Sequence, residues 1–236
     1  MTRLPTRLPD ARLPEGQEKA RTVRAMFDTI APRYDLVNRV MTLRLDVGWR
    51  RRTVSALQLP PGAVVLDLAC GTGDLCRELT RRGLSPIGFD FSAGMLAAAR
   101  APSPLVRADV LTLPVPDAVA DGVTCGFALR NLVALDPFAR ELARVVRRGR
   151  RIALLETAEP TNPVMRWGHG IYFGKVVPRV GGWLSDPDAY RYLPRSAAYL
   201  PPPDELVALF RRAGFPDLRR TPLAGGIAQL LTGTRA

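Results

Sequence analysis

With 236 residues, of which 47% are hydrophobic, the chain can close one large domain around a buried core, and no apolar run approaches the ~18–20 residues that span a bilayer. The net charge of +12 invites an anionic partner. However, only Lys19 and Lys175 of the 34 basic residues are lysines, and the arginines fall in scattered pairs (Arg81-Arg82, Arg147-Arg148, Arg211-Arg212, Arg219-Arg220) with no interleaved aromatics. That pattern argues against nucleic acid and leaves an anionic membrane surface open. Cys70, Cys76 and Cys125 are odd in number and lack CxxC spacing, so they predict reduced structural thiols, with neither a disulfide framework nor a metal site. The start of the chain has no h-region, which makes the cytoplasm the expected compartment, with peripheral contact at the inner face of the cell membrane.

In chain order, residues 1–16 repeat Arg-Leu-Pro three times and predict an extended, disordered lead. Residues 17–57 carry three helical patterns, broken at Pro32 and near 41–46, and predict a helical cap (17–60) ahead of an alternating fold. Strands are expected at 64–68, 84–90, 104–108, 121–127 and 151–156, with helices at 74–82, 92–100 and 135–147. Strands alternating with helices mean an α/β, Rossmann-like doubly wound sheet. Residues 160–202, rich in Pro, Gly and aromatics, predict a lid with helical pieces. A helix at 203–213 closed by Gly214 follows, and 217–234 predicts an antiparallel strand pair, so that 17–236 reads as one domain.

The chemistry concentrates where the first strand ends. VVLDLACGTGDL (64–75) is a buried strand reaching Asp67, then a turn Gly71-Thr72-Gly73, then a helix. The next strand ends on Asp90, eighteen residues beyond Thr72. Glycines allow a sharp turn with φ > 0 against a ligand, and a carboxylate at the second tip can hold two ribose hydroxyls. The loop lacks the third glycine of GxGxxG and the Lys-Ser/Thr of a P-loop, so the ligand expected is a nucleoside without pyrophosphate. S-adenosylmethionine (SAM) is the common one, and the run resembles motif I and the acidic loop of class I methyltransferases. Past the third strand, Asp109 can accept from the adenine amine while Val110 packs on the ring, with a helix N-cap at Asp109 as the alternative. Gly126 opens GFALRNL (126–132) at the tip of the fourth strand, where open α/β sheets bind ligands. FDTIAPRYDLVNRVMT (27–42) gathers Asp28, Tyr34, Asp35 and Asn38, and reads equally as an amphipathic helix pair or as a functional stretch. In the lid, Trp167, Tyr172, Phe173, Trp183, Tyr190, Tyr192 and Tyr199 suit a flat, greasy ring, or simple packing. His169 is the only histidine and has no partner in the pattern, so no role as a base is assigned to it.

The phrases FDTIAPRYDLVNRVMT with WRR, LDLACGTGDL, GFALRN, DPDAYRYLPRSAAYLPPPDEL with AGF, and LAGGIAQLLTG together resemble the ubiquinone/menaquinone biosynthesis C-methyltransferase family (UbiE/MenG type) over residues 22–234. The first and last are particular to that family. The resemblance implies SAM-dependent C-methylation of a polyprenylated hydroquinone, with demethylmenaquinol as the leading substrate. It places Arg130, Asn131 and Tyr34 at the quinol oxygen, and SAM on Asp67, Gly71, Thr72, Gly73, Asp90, Asp109, Val110 and Gly126. The chain departs from the family's usual pattern at Thr42-Leu43-Arg44 (Ser-x-Gly), Ala128 (Gly), Arg148-Gly149-Arg150 (Pro-Gly-Gly) and Leu230-Leu231 (a His nearby). Three alternatives stay open: the ubiquinone-branch benzoquinol, a SAM-dependent RNA methyltransferase, and a SAM-binding scaffold. Prenyl length and assembly into a homo-oligomer are not legible.

Overall fold

The apolar run Val64–Leu68 forms β1, and its period-two alternation sets the two faces of the sheet. In the computed structural model, which describes residues 14–160, 162–171, 192 and 195–236, this strand is an interior one of seven. The others are β2 (Ser85–Asp90), β3 (Leu105–Arg107), β4 (Ala120–Gly126), β5 (Val146–Thr157), β6 (Arg219–Leu223) and β7 (Ala228–Thr234), in the order β3-β2-β1-β4-β5-β7-β6. Strands β1 to β5 pair in parallel, while β7 is antiparallel to both β5 and β6. Strand order reverses between β1 and β4, and a switch of this kind leaves a crevice at the strands' carboxyl ends.

Leu66, Leu68, Val123, Cys125, Ile152, Leu154 and Leu231 fill one face, with Phe138 and Leu142 of α6 (Leu135–Val145) and Phe210 of α8 (Pro203–Arg212). Phe138 and Phe210 meet edge to face at 6.5 Å. Val65, Ala153, Leu155 and Leu230 point the other way, onto Leu75 and Leu79 of α4 (Asp74–Arg81) and Val54 of α3 (Leu45–Ala56). Ahead of α3 stand α1 (Gly16–Ile30), a 3₁₀ turn at Ala31–Arg33 with Pro32, and α2 (Tyr34–Met41). The helix α5 (Ala93–Ala98) follows β2, and Ser92 caps it by accepting from the Met95 amide. In the lid region, α7 covers Pro163–Ile171.

Most predicted boundaries fall within two residues of these. The exception is β5, which begins at Val146, five residues early, so the helix before it stops at Val145. Arg147 pairs with Asp121 at 2.6 Å, and the Gly149 amide donates to the Arg235 carbonyl, which holds the arginine-rich segment extended. The Arg-Leu-Pro lead up to residue 13 and the lid aromatics Tyr172, Phe173, Trp183 and Tyr190 lie outside the described residues.

Candidate functional site

The loop after β1 turns because two of its residues are glycines. Gly71 (φ +56°) and Gly73 (φ +82°) adopt left-handed backbone, and a Cβ on Gly73 would lie 2.5 Å from the Ala101 Cβ. Asp90 at the tip of β2 organises this loop: its two carboxylate oxygens accept from the Gly71 and Ser92 amides, each at 2.8 Å. Asp67, fully buried, accepts from Thr124 Oγ1 at 2.8 Å and from Cys76 Sγ at 3.3 Å. Burial raises its pKa to about 7, opposed by those two hydrogen bonds; burial also raises Asp90, against the pull of the amides.

These groups lie on a cavity of about 1100 Å³, mouth included, at the carboxyl ends of β1, β2 and β4. Asp67, Gly71, Thr72, Asp90, Asp109, Val110, Gly126, Tyr34 and Asn131 line it. Gly73 and Arg130 do not. Gly73 serves as the left-handed residue that starts α4. Asp109 is exposed and accepts from the Leu111 amide, an Asx turn rather than a helix cap, while Val110 is buried beside it.

Arg130, expected at the quinol oxygen, stands elsewhere. Its guanidinium is buried and ion-paired with Glu156, and it donates also to Ser196 Oγ (3.1 Å) and Thr157 Oγ1 (3.2 Å), behind the cavity wall. Glu156, wholly buried on β5, must be neutralised, and an arginine fork is the group that does it. Asn131 is the member of the pair that reaches the cavity. Its amide nitrogen donates to the Phe127 carbonyl at 3.4 Å, and its Oδ1 is buried without a hydrogen-bond partner among the described residues. Tyr34, half-buried, packs edge to face on Phe27 (6.0 Å). Burial raises its phenol pKa, with the Arg50 and Arg130 charges opposing.

The cap is latched over the motif I loop. Asp35 accepts from Thr72 Oγ1 and stands 3.5 Å from Arg77, and Asp28 accepts from Ser92 Oγ and from the Gly94 amide (2.9 Å). Arg50 pairs with Asp46 on its own helix and with Asp74 at 3.0 Å. Lys19 donates to the Leu132 carbonyl at 2.6 Å beneath the Tyr199 ring, and burial lowers its pKa to about 8. Arg50, Phe27 and Met95 line the cavity and were missed as site residues, although the WRR phrase held the signal for Arg50. Val23, Phe27, Leu132 and Val133 make its upper wall apolar. Ala128, one of the departures, also lines it, whereas Leu230 and Leu231 are buried in the sheet. No cluster able to hold a metal is present among the described residues.

A small nucleoside fits this base. Glycine backbone clears the approach, Asp90 retains lone pairs beyond the two amides it accepts, and Val110 offers an apolar face. Comparison with known proteins agrees in fold and lineage. A Thermotoga maritima SAM-dependent methyltransferase aligns over 91% of this chain and all of its own, with a TM-score of 0.64 and 17% identity. Proteins named demethylmenaquinone methyltransferase are similar along nearly the whole chain. That of Roseiflexus castenholzii is 41% identical over 94% of this chain and 97% of its own length, and that of Mycolicibacterium vanbaalenii is 43% identical over 91% and 95%. The profile of the ubiE/COQ5 methyltransferase family matches residues 15–235, and the chain belongs to that family of SAM-dependent methyltransferases.

Proposed function

We propose that this enzyme methylates a ring carbon of demethylmenaquinol, completing a menaquinone. The observation that carries the reading is a cavity with two halves: acidic and glycine-lined at the sheet (Asp67, Gly71, Asp90), apolar under the cap (Val23, Phe27, Leu132). A nucleoside belongs in the first half and a prenylated ring in the second. We assign SAM to Asp67, Gly71, Thr72, Asp90, Asp109, Val110 and Gly126, with Gly73 shaping the turn. When bound, SAM supplies an electrophilic methyl on a good leaving group. The protein's own task is then to orient and desolvate, an effect that can supply ~7–11 kcal/mol.

Tyr34 and Asn131 face the cavity from the cap and from the tip of β4, and we assign them to the quinol oxygens. A phenol proton must pass to solvent before the ring carbon is electron-rich enough to attack, and donors near the resulting oxyanion favour that loss. The ring C–H proton leaves to solvent after the methyl has transferred, which restores the aromatic ring. Tyr34, its own pKa raised, stays protonated and donates. Asn131 receives a ring hydroxyl on Oδ1, the acceptor otherwise unpaired. Arg130 acts at one remove: paired to Glu156, it fixes the Leu129–Asn131 turn that brings Asn131 to the cavity. We propose further that the cap shelters the ring and that the enzyme meets the membrane reversibly, since the prenyl chain is too apolar for water.

Incubation with labelled SAM and a short-chain demethylnaphthoquinol tests the reading. Methylated naphthoquinol is the expected product, with a matched benzoquinol turned over at least tenfold more slowly. Preference for the benzoquinol moves the enzyme to the ubiquinone branch, and label in neither quinol overturns the proposal.

A further inference from the structure

The helix α2 has two faces, and only one is used by the cavity. Tyr34 and the fully buried Val37 turn inward. Leu36 and Val40 stand on the other side at i and i+4, 55% and 42% exposed, and the turn that follows adds Leu43 (72%) and Leu45 (47%). Large apolar side chains grouped on one surface mark a partner.

The charge arrangement says which partner. The acids of this segment are turned away: Asp35 is engaged with Thr72 and Arg77, and Asp46 is buried against Arg50. Arg33, Arg39 and Arg44 remain exposed around the leucines, and Arg39 keeps a side chain 47% exposed even 3.9 Å from Asp74. The backbone adds a second clue. Leu43 and Arg44 both sit in left-handed conformation (φ +50° and +64°), where glycine costs least, yet the chain places a leucine 72% exposed and an arginine there. Apolar groups ringed by arginines, with the acids withdrawn, complement an anionic lipid interface.

We propose that the outer face of α2 and its following turn (Leu36, Val40, Leu43 and Leu45, flanked by Arg33, Arg39 and Arg44) is the membrane-docking surface. Docking there holds the cavity one helix diameter, about 10 Å, from the lipid that carries the prenylated substrate. The proposal rests on the quinol reading above for its purpose, but its test is separable.

Co-sedimentation with vesicles of one part phosphatidylglycerol to three parts phosphatidylcholine measures it. Wild type should partition at low salt and less in high salt. Leu36→Ser with Leu43→Gly should weaken partition at least tenfold, and Arg44→Gly about fivefold at low salt only. Arg44→Gly also relaxes the left-handed turn, so its Tm should be unchanged or higher, which separates lost docking from lost folding. Both variants should methylate a short-chain quinol in solution at the wild-type rate and lose turnover of a long-chain quinol held in vesicles. Unchanged partition of the variants, or no partition of wild type, overturns the docking face. So does light scattering that shows a dimer which these substitutions dissociate, since the face would then join two copies. Failure of wild type on the soluble quinol overturns the substrate reading alone.

Discussion

Asp67 shows how burial alone makes a carboxyl pH-sensitive. Its pKa is raised to about 7 from an ordinary 3.8, so the folded state holds a proton that the unfolded chain has released. The stability from that proton is full below pH 4 and is lost as pH rises through 7, of order 4 kcal/mol across the window. Asp67→Asn keeps the acceptor for Thr124 and removes the titration, so denaturant unfolding of the variant should show a flatter decline from pH 4 to 8 than wild type. A decline of equal slope would assign the pH dependence elsewhere. Arg130 and Asn131, neighbours in sequence, divide in the same way by environment. Arg130→Ala leaves the Glu156 carboxylate buried and unpaired, which should cost about 3–5 kcal/mol of stability. Asn131→Ala should cost little stability and lower kcat/KM by roughly tenfold, the loss of one acceptor that orients a ring hydroxyl. The two kinds of loss are read by urea unfolding and by initial rates.

The cap illustrates what an amphipathic pattern conceals. The three helices of 16–56 follow from spacing, Pro32 and the break after Met41, and their inner faces follow from period 3.6. What the pattern cannot show is that Asp28 and Asp35 reach across to loops more than thirty residues away. Those latches cover the motif I loop and couple cap closure to that loop's shape. Asp35→Ala should raise the KM for SAM several-fold and speed amide hydrogen exchange in α2, while core strands keep their protection. Unchanged exchange in α2 would mean that packing around Val37 alone holds the cap. At β5 the pattern misled for a different reason: four charged or glycine residues look like a turn, and only the partners Asp121 and Arg235 hold them extended.

Across the chain, stability and binding are linked through the acidic base of the cavity. SAM at a hundredfold above its Kd should add ~2.7 kcal/mol, a rise in Tm of roughly 5–10 °C for a chain of this length. Asp90→Ala removes the anchor of the Gly71 and Ser92 amides, so SAM binding should weaken by about 2–3 kcal/mol and the Tm rise at the same SAM concentration should nearly vanish. A full shift in the variant would remove Asp90 from the nucleoside site. The residues by themselves determined the order of strands and helices and the glycine turn between two acidic strand tips, because hydrophobic period and backbone permissiveness are local properties, and the phrases at 27–42 and 223–233 carried the lineage. Whether Arg130 or Asn131 faces the cavity, why Asp67 holds its proton, and where the leucines of α2 end up were decided only by tertiary structure. Each depends on burial and on partners brought from distant parts of the chain, and neither can be read from a residue's neighbours in sequence.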